Sequence, residues 1–237
     1  MRHFTVKFRN NFHPMKAPIH LVLCCVLFAT GFIVSSCKQE TREDGPRKIE
    51  VLFLGHDSEH HNSAAYLPIL ASALATEGIN FTYTNNPAML RRDVLDQYDA
   101  LMVYANHDSI TSDQERALLD FVASGRGFVP VHCASFCFRN SPEYIDIVGG
   151  QFHKHDTASF EAVILNHEHP VTKGLSAFST WDETYVHHKL SNDREVLMER
   201  VEGDHHEPWT WVKQHGKGRV FYTAYGHDER TWEQPGF

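Results

Sequence analysis

The stretch "GFVPVHCASFCF", residues 127–138, decides how this chain folds. Its residues up to Val131 are apolar or β-branched apart from Pro130, with Gly125 and Gly127 just before them as punctuation. That pattern is a strand buried on both faces, which belongs inside a parallel sheet covered by helices. It runs without a spacer into His132 and Cys133, so whatever chemistry sits at the strand's carboxyl end starts there.

Working outward, "KIEVLFLG" (48–55) is a second continuous apolar run. "AAYLPILASALATEG" (64–78) carries Leu67, Leu70 and Leu74 at helical spacing and stops at Gly78. "INFTYT" (79–84) alternates as a strand, and "DALMVYA" (99–105) is another buried one. Thr111 or Ser112 caps the next helix, Gln114 or Glu115 completes a capping box, and the helix runs to Gly125. Strands alternating with helices predict parallel βαβ units, hence an α/β three-layer sandwich with a mainly parallel central sheet. The second half differs. "ASFEAVIL" (158–165), "REVLMERV" (194–201) and "PWTWVKQHGKGRVFYTAYG" (208–226) alternate more regularly, and "QHGKG" reads as a hairpin loop, so an antiparallel extension is expected. The chain stops at "TWEQPGF" with no closing element, and the native chain is expected to continue past Phe237.

Residues 1–36 read as a signal segment. Arg2, Lys7, Arg9 and Lys16 precede the apolar run "LVLCCVLFATGFIV" (21–34), which is short for a membrane span. "VSSC" (34–37) resembles the lipobox of bacterial lipoproteins, with Cys37 as the lipidated residue. A polar tether, residues 37–47, follows, and the fold is expected over 48–237. Without residues 1–36 the chain keeps 18 Lys and Arg against 30 Asp and Glu, a formal charge of −12. Such a field repels nucleic acid and anionic lipid head groups, so membrane attachment in the cell envelope would rest on the lipid.

Histidine is the compositional outlier, with 18 copies. The strand at 48–54 ends in Gly55-His56-Asp57, and the strand at 100–104 leads into Asn106-His107-Asp108. The strand at 127–131 ends in His132, and the strand at 219–225 ends in Gly226-His227-Asp228. Such pairs also make good turns and helix caps, but four at one sheet edge point to a polar site, since ligands of open α/β sheets bind there. His61, "GGQFHKHD" (149–156), "WDETYVHH" (181–188) and "GDHHEPW" (203–209) can add to it. Imidazoles with a carboxylate suit Zn²⁺ or another divalent ion, and His61, His132, His155 and His227 form the candidate set. No short ligand spacing of the HExxH kind is present, so distant loops would have to build that site. Without a metal, His132 and His227 with Glu183 can act as base and acid.

Of the five cysteines only Cys133 and Cys137 fall in the expected fold. Cys133 sits where an elbow nucleophile belongs, and Cys133, His227 and Glu229 could form a triad. "ASFCF" after it lacks the glycine that a sharp elbow needs, and a small buried thiol is the plain alternative. Trp181, Trp209 and Trp211 beside polar loops suit stacking on sugar faces, which keeps a non-catalytic sugar-binding module open.

Residues of about 49–237 resemble the ThuA-like (trehalose-utilisation) family through "HNSAAYLPIL", "VHCAS", "VGGQFHKHD", "WDETY", "EPWTWV" and "GKGRVFYTAYGHDERTW". The resemblance implies the flavodoxin-like fold of class I glutamine amidotransferases and a role in carbohydrate metabolism. It implies a disaccharide or keto-sugar substrate, with a sugar dehydrogenase as partner. The family's recurrent polar residues fall on His61, Ser63, His132, His155, Asp182, Glu183, Tyr185, Arg219 and His227. Ser63, Tyr185 and Arg219 from that set, with Trp211 of the tryptophan cluster, are the candidate substrate contacts. The amidotransferase cysteine falls at Cys133, a position where relatives carry a small residue while keeping the histidine before it, so the resemblance favours His132 over Cys133.

Overall fold

A computed structural model describes residues 47–237, so the signal segment, Cys37 and all but the end of the tether lie outside the described residues. The first half is built as the apolar pattern requires. Strand β1 (Ile49–Leu54) is followed by α1 (Ser63–Leu74), β2 (Ile79–Thr84), the one-turn α2 (Arg92–Leu95), β3 (Ala100–Val103), α3 (Ser112–Ala123) and β4 (Gly127–Pro130). Gly78 ends the first helical stretch in a left-handed conformation, φ +72°. At α3 the capping box is Thr111 with Gln114, one of the pairings the sequence offers.

Beyond β4 come α4 (Pro142–Val148), β5 (Gln151–Lys154), β6 (Thr157–Glu161), β7 (Val163–Ile164), β8 (Ser179–Glu183) and β9 (Val186–His188). The chain closes with β10 (Glu195–Glu202), β11 (His205–His215), β12 (Gly218–Thr223) and the short α5 (Glu229–Trp232). Eight strands form the main sheet in the order β2-β1-β3-β4-β12-β11-β10-β7. Pairing is parallel from β2 to β12 and antiparallel from β12 to β7. This is the expected α/β architecture with its antiparallel extension.

The continuous apolar runs follow from that layering. On β1, Val51 and Phe53 face a cluster with Tyr66 of α1 and Trp232 of α5, whereas Leu52 and Leu54 face one with Leu95, Leu118 and Phe121. Strand β3 repeats the alternation, Met102 to the first cluster and Leu101 and Val103 to the second. Each strand therefore buries both faces, which alternating polar residues would forbid.

One expected strand is broken. Residues 158–165 do not form a single element: β6 pairs with β8 in a separate two-stranded ladder, while β7 joins the main sheet beside β10. The break is at fully buried Ala162, whose N–H donates to the Tyr225 hydroxyl at 3.2 Å. A side chain thus satisfies the backbone group that neither ladder takes up. The excursion delivers the end of β8 to the carboxyl edge of the parallel strands, and this positions the site.

Candidate functional site

Four side chains meet at that edge. His61 lies in the loop after β1, immediately before Asn62, the cap of α1. His132 opens a single turn of 3-10 helix after β4, His227 follows β12, and Glu183 ends β8. One donor atom from each falls within 4.8 Å of all the others. Glu183 is the hub: Oε2 lies 3.2 Å from His132 Nε2 and 4.0 Å from His61 Nε2, and Oε1 lies 3.3 Å from His227 Nδ1. His155, half-exposed at the rim, brings Nε2 to 3.5 Å from the same Oε1.

The backbone is shaped to make this meeting possible. Gly55 ends β1 where a Cβ would lie 2.5 Å from the Tyr83 ring and 2.6 Å from Ser63 Cβ, so only glycine lets the loop carrying His56 and His61 turn there. Gly226 takes φ +128°, a conformation open to glycine, and turns the chain into His227. His132 itself has φ +48°. For a residue with a Cβ this costs about 1–2 kcal/mol, which surrounding contacts must offset. Among them, Nδ1–H donates to the Ala224 carbonyl at 2.6 Å, and the Ser135 hydroxyl donates to the His132 carbonyl at 3.0 Å. Tyr185 stacks on the imidazole, centroids 4.1 Å apart.

That first hydrogen bond fixes the tautomer. A carbonyl only accepts, so the proton is on Nδ1 and a neutral His132 turns the Nε2 lone pair toward the Glu183 carboxylate. Two such groups attract only through a second proton or a cation between them. His61 sharpens the point. It is 6 % exposed, and neither ring nitrogen has a hydrogen-bond partner among the described residues. Burial, reinforced by His132, pushes its pKa down to about 2, so the ring is neutral and offers a lone pair. Burial alone would raise Glu183, yet a proton carried by the neighbouring His132 and His227 rings holds it well below the usual carboxylate range. His227 moves the other way, because Glu183 outweighs the effect of burial and raises it.

The sequence from residue 50 to 237 matches the family model described as "ThuA: Trehalose utilisation". The chain belongs to the ThuA family. Its architecture is that of solved ThuA-like proteins. One from Bacteroides uniformis is 19 % identical, with a TM-score of 0.70 over 81 % of this chain and 88 % of that one. Another from Parabacteroides merdae is 18 % identical, with a TM-score of 0.67 over 81 % and 86 %. A β-galactosidase from Rahnella sp. R3 shares the fold over 78 % of this chain and 30 % of its own length, at 15 % identity and a TM-score of 0.54. No curated protein matches the sequence. Membership in the ThuA family gives the chain a role connected with carbohydrates.

The other predicted residues of this ThuA domain fall into three groups. Ser63 is fully buried near the centre, but its hydroxyl binds the Tyr104 carbonyl at 2.8 Å and the His56 N–H at 3.1 Å, tying the ends of β1 and β3 together. Cys133 lies beside His61 and His56, 1 % exposed, and burial pushes its thiol far up. An elbow nucleophile needs access and a lowered pKa, and Cys133 has neither. His227 turns toward Glu183 instead, and Glu229 is exposed at the start of α5.

Trp211 and Arg219 are not brought to the centre. Trp211 is fully buried, donating Nε1–H to the Val148 carbonyl and stacking on Tyr222. Trp209 is equally buried, so neither ring can stack on a sugar from solvent. Arg219 pairs with Gly127 at the start of β4, the end of the sheet away from the site, and is exposed.

Sequence reasoning gave Asp182 no role of its own. It is fully buried and accepts from the N–H groups of Glu183, Gly226 and His227 and from the Thr231 hydroxyl, at 2.8 to 3.1 Å. One carboxylate thereby ties the β8 end to the loop after β12. A second buried set, Glu207 with His187 Nδ1 at 2.9 Å and His187 Nε2 with the Tyr222 hydroxyl at 2.9 Å, underlies the His132 turn. The signal for both was the density of polar residues in "WDETYVHH" and "GDHHEPW".

Proposed function

We propose that this protein is a lipid-anchored enzyme that acts on a disaccharide or keto-sugar with a divalent metal held by His61, His132, Glu183 and His227. The observation that carries the reading is His61, a buried neutral imidazole whose two nitrogens have no partner among the described residues, one of them facing the carboxylate that His132 Nε2 also approaches. Three nitrogens and one oxygen are a donor set that Zn²⁺ takes. Such an ion would need its protein donors to converge within a few ångströms while leaving a further position open for the sugar. One donor atom from each of the four lies within 4.8 Å of the others, and Glu183 Oε2 alone stands 3.2 Å from His132 Nε2 and 4.0 Å from His61 Nε2.

Bound there, a divalent ion supplies Lewis acidity toward a sugar carbonyl or hydroxyl. The protein's own part is to hold the donors rigid and to move protons. The Ala224 carbonyl fixes which His132 nitrogen faces inward, and Asp182 fixes the backbone under Glu183 and His227. His155, open to solvent and 3.5 Å from Glu183, is placed to pass protons between the centre and bulk water. The disaccharide or keto-sugar comes from the family's carbohydrate role, and a sugar dehydrogenase is the partner that would make the keto form. Lipidation at Cys37 would hold the domain at the cell envelope.

The test is elemental analysis of the full chain purified without a histidine tag, beside Glu183→Gln and His61→Leu variants, with sugar turnover followed in parallel. Near-stoichiometric zinc, manganese or iron in the parent and little in either variant supports the reading. A metal-free parent that turns over sugar refutes the metal, and a loaded parent inert toward disaccharides and keto-sugars refutes the reaction.

A further inference from the structure

We propose that the cleft outside the ends of β1, β2 and β3 is the subsite that seats an uncharged, polyhydroxylated sugar ring; this rests on the carbohydrate reading above. The cleft has a volume of about 510 Å³, inside the roughly 300–1,000 Å³ of small-molecule sites. Its position follows from topology. From β1 the chain passes to β2 on one side and then to β3 on the other, so the loops after β1 and β3 diverge and open a crevice.

The walls are polar in a manner suited to hydroxyl groups. Asp57 follows β1, Asn85 follows β2, and Asn106 and Asp108 follow β3. Asn85 Nδ2 donates to one Asp57 oxygen at 2.8 Å and leaves the other oxygen to accept. Carboxylate and amide side chains together both accept from and donate to hydroxyls, as a sugar ring requires. The one guanidinium in the wall, Arg139, is already paired with Asp108 and lies over the Phe136 ring. With Asp57 in excess the lining is net negative, which disfavours a phosphorylated or carboxylated ligand.

His56 closes the inner wall of the cleft. His56 forms the wall shared with the metal-ligand cluster, its ring 6.0 Å from His61 and 6.1 Å from His107. Its Nδ1 accepts from the Asn106 N–H at 3.3 Å, which puts the proton on Nε2. That donor is buried, on a residue 6 % exposed, and has no partner among the described residues. Shielded from solvent, it does not open into the cleft, so the hydroxyl partners there are the side chains of Asp57, Asn85 and Asn106.

Titration calorimetry of the full chain, with trehalose, glucose and glucose 6-phosphate as probes, tests the assignment in the parent and in Asp57→Ala and Asn85→Ala variants, metal content being measured on each sample. Both substituted side chains are exposed and lie outside the metal-ligand cluster. The expected result is trehalose or glucose binding that weakens about tenfold or more in each variant, the loss of a hydrogen bond to a charged or amide group. Metal content should not change, and glucose 6-phosphate should bind more weakly than glucose. Unchanged sugar affinity in both variants overturns the subsite. So does tighter binding of the phosphate, or no binding of either neutral sugar by the parent. Sugar binding by a metal-free parent that the variants abolish leaves the subsite standing and refutes the metal alone.

Discussion

Replacing His61 by leucine should stabilise the metal-free protein while abolishing its response to metal. His61 is 6 % exposed, and its two ring nitrogens, one donor and one acceptor in the neutral ring, have no partner among the described residues. Each unsatisfied buried group costs about 1–3 kcal/mol, so the pair costs roughly 3 kcal/mol at the lower middle of that range. Against this, leucine forfeits edge-on ring contacts with Tyr104, His132 and His227, at 5.9, 5.1 and 5.3 Å between centroids. That loss is on the order of 1 kcal/mol. The net gain of about 2 kcal/mol corresponds to a rise in Tm of roughly 4–8 °C for a domain of this size. The parent should behave oppositely on adding Zn²⁺ to about a hundred times its Kd, gaining about 2.7 kcal/mol where the variant gains little. Calorimetric or fluorescence melting of both proteins, with chelator and with zinc, reads all four values. The order of stability should invert between the two conditions. A variant that melts at or below the parent in chelator, together with an equal zinc shift in both, would refute the reasoning that these nitrogens await a cation.

Other consequences are checked more briefly. Because burial pushes the Cys133 thiol far up, iodoacetamide should not modify Cys133 in the folded protein at neutral pH, and Cys133→Ala should keep sugar turnover within about threefold of the parent. Glu183 raises His227 above its ordinary value against the effect of burial, so that ion pair's stabilisation is complete below the usual histidine range and is lost as pH rises through the raised value. A metal must displace that proton, so zinc affinity should rise with pH through this range, by up to about tenfold per unit, in titrations at several pH values. Asp182→Ala leaves three backbone N–H groups without their acceptor and should cost about 2–4 kcal/mol, seen as a lower urea midpoint with an unchanged m-value. Cys37→Ser should abolish incorporation of labelled fatty acid and move the chain from the membrane fraction to the soluble fraction.

The parallel half of the sheet was legible because its strands bury both faces, and only continuous apolar runs such as "VLFL" and "ALMV" can do so. The helix starts were legible for a similar reason, since Thr111 and Gln114 are a capping pair before any tertiary contact forms. The split of 158–165 was not. Ala162 looks like any strand residue, and what breaks the strand there is a hydroxyl from Tyr225, sixty-three residues away. Candidate side chains behaved in the same way. A histidine after a buried parallel strand is placed by the strand, so His132 and His227 could be named from local pattern. Trp211 could not be placed, because which face of an antiparallel strand meets the site depends on its partners in the sheet, whereas Arg219 starts the very strand whose far end leads to His227 and so lies at the opposite edge.

The same distinction explains why the carboxylate, and not a fourth histidine, is at the centre of the cluster. Strands β1, β4 and β12 are neighbours or near neighbours in the parallel sheet, so His61, His132 and His227 approach from one side, and three imidazoles alone offer a divalent ion lone pairs but no charge to balance its own. A counter-charge has to come from outside that row. Strand β8 belongs to a separate ladder and ends over the carboxyl edge, where Asp182 bonds to the loop after β12 and holds Glu183 facing the rings. His155 comes from the turn after β5, which pairs with β9 instead, and it stops at the rim on the solvent side of Glu183. Spacing along the chain treats His155 and Glu183 alike as residues of the second half. Sheet topology separates them, giving the carboxylate the inner position and leaving the imidazole where protons can leave.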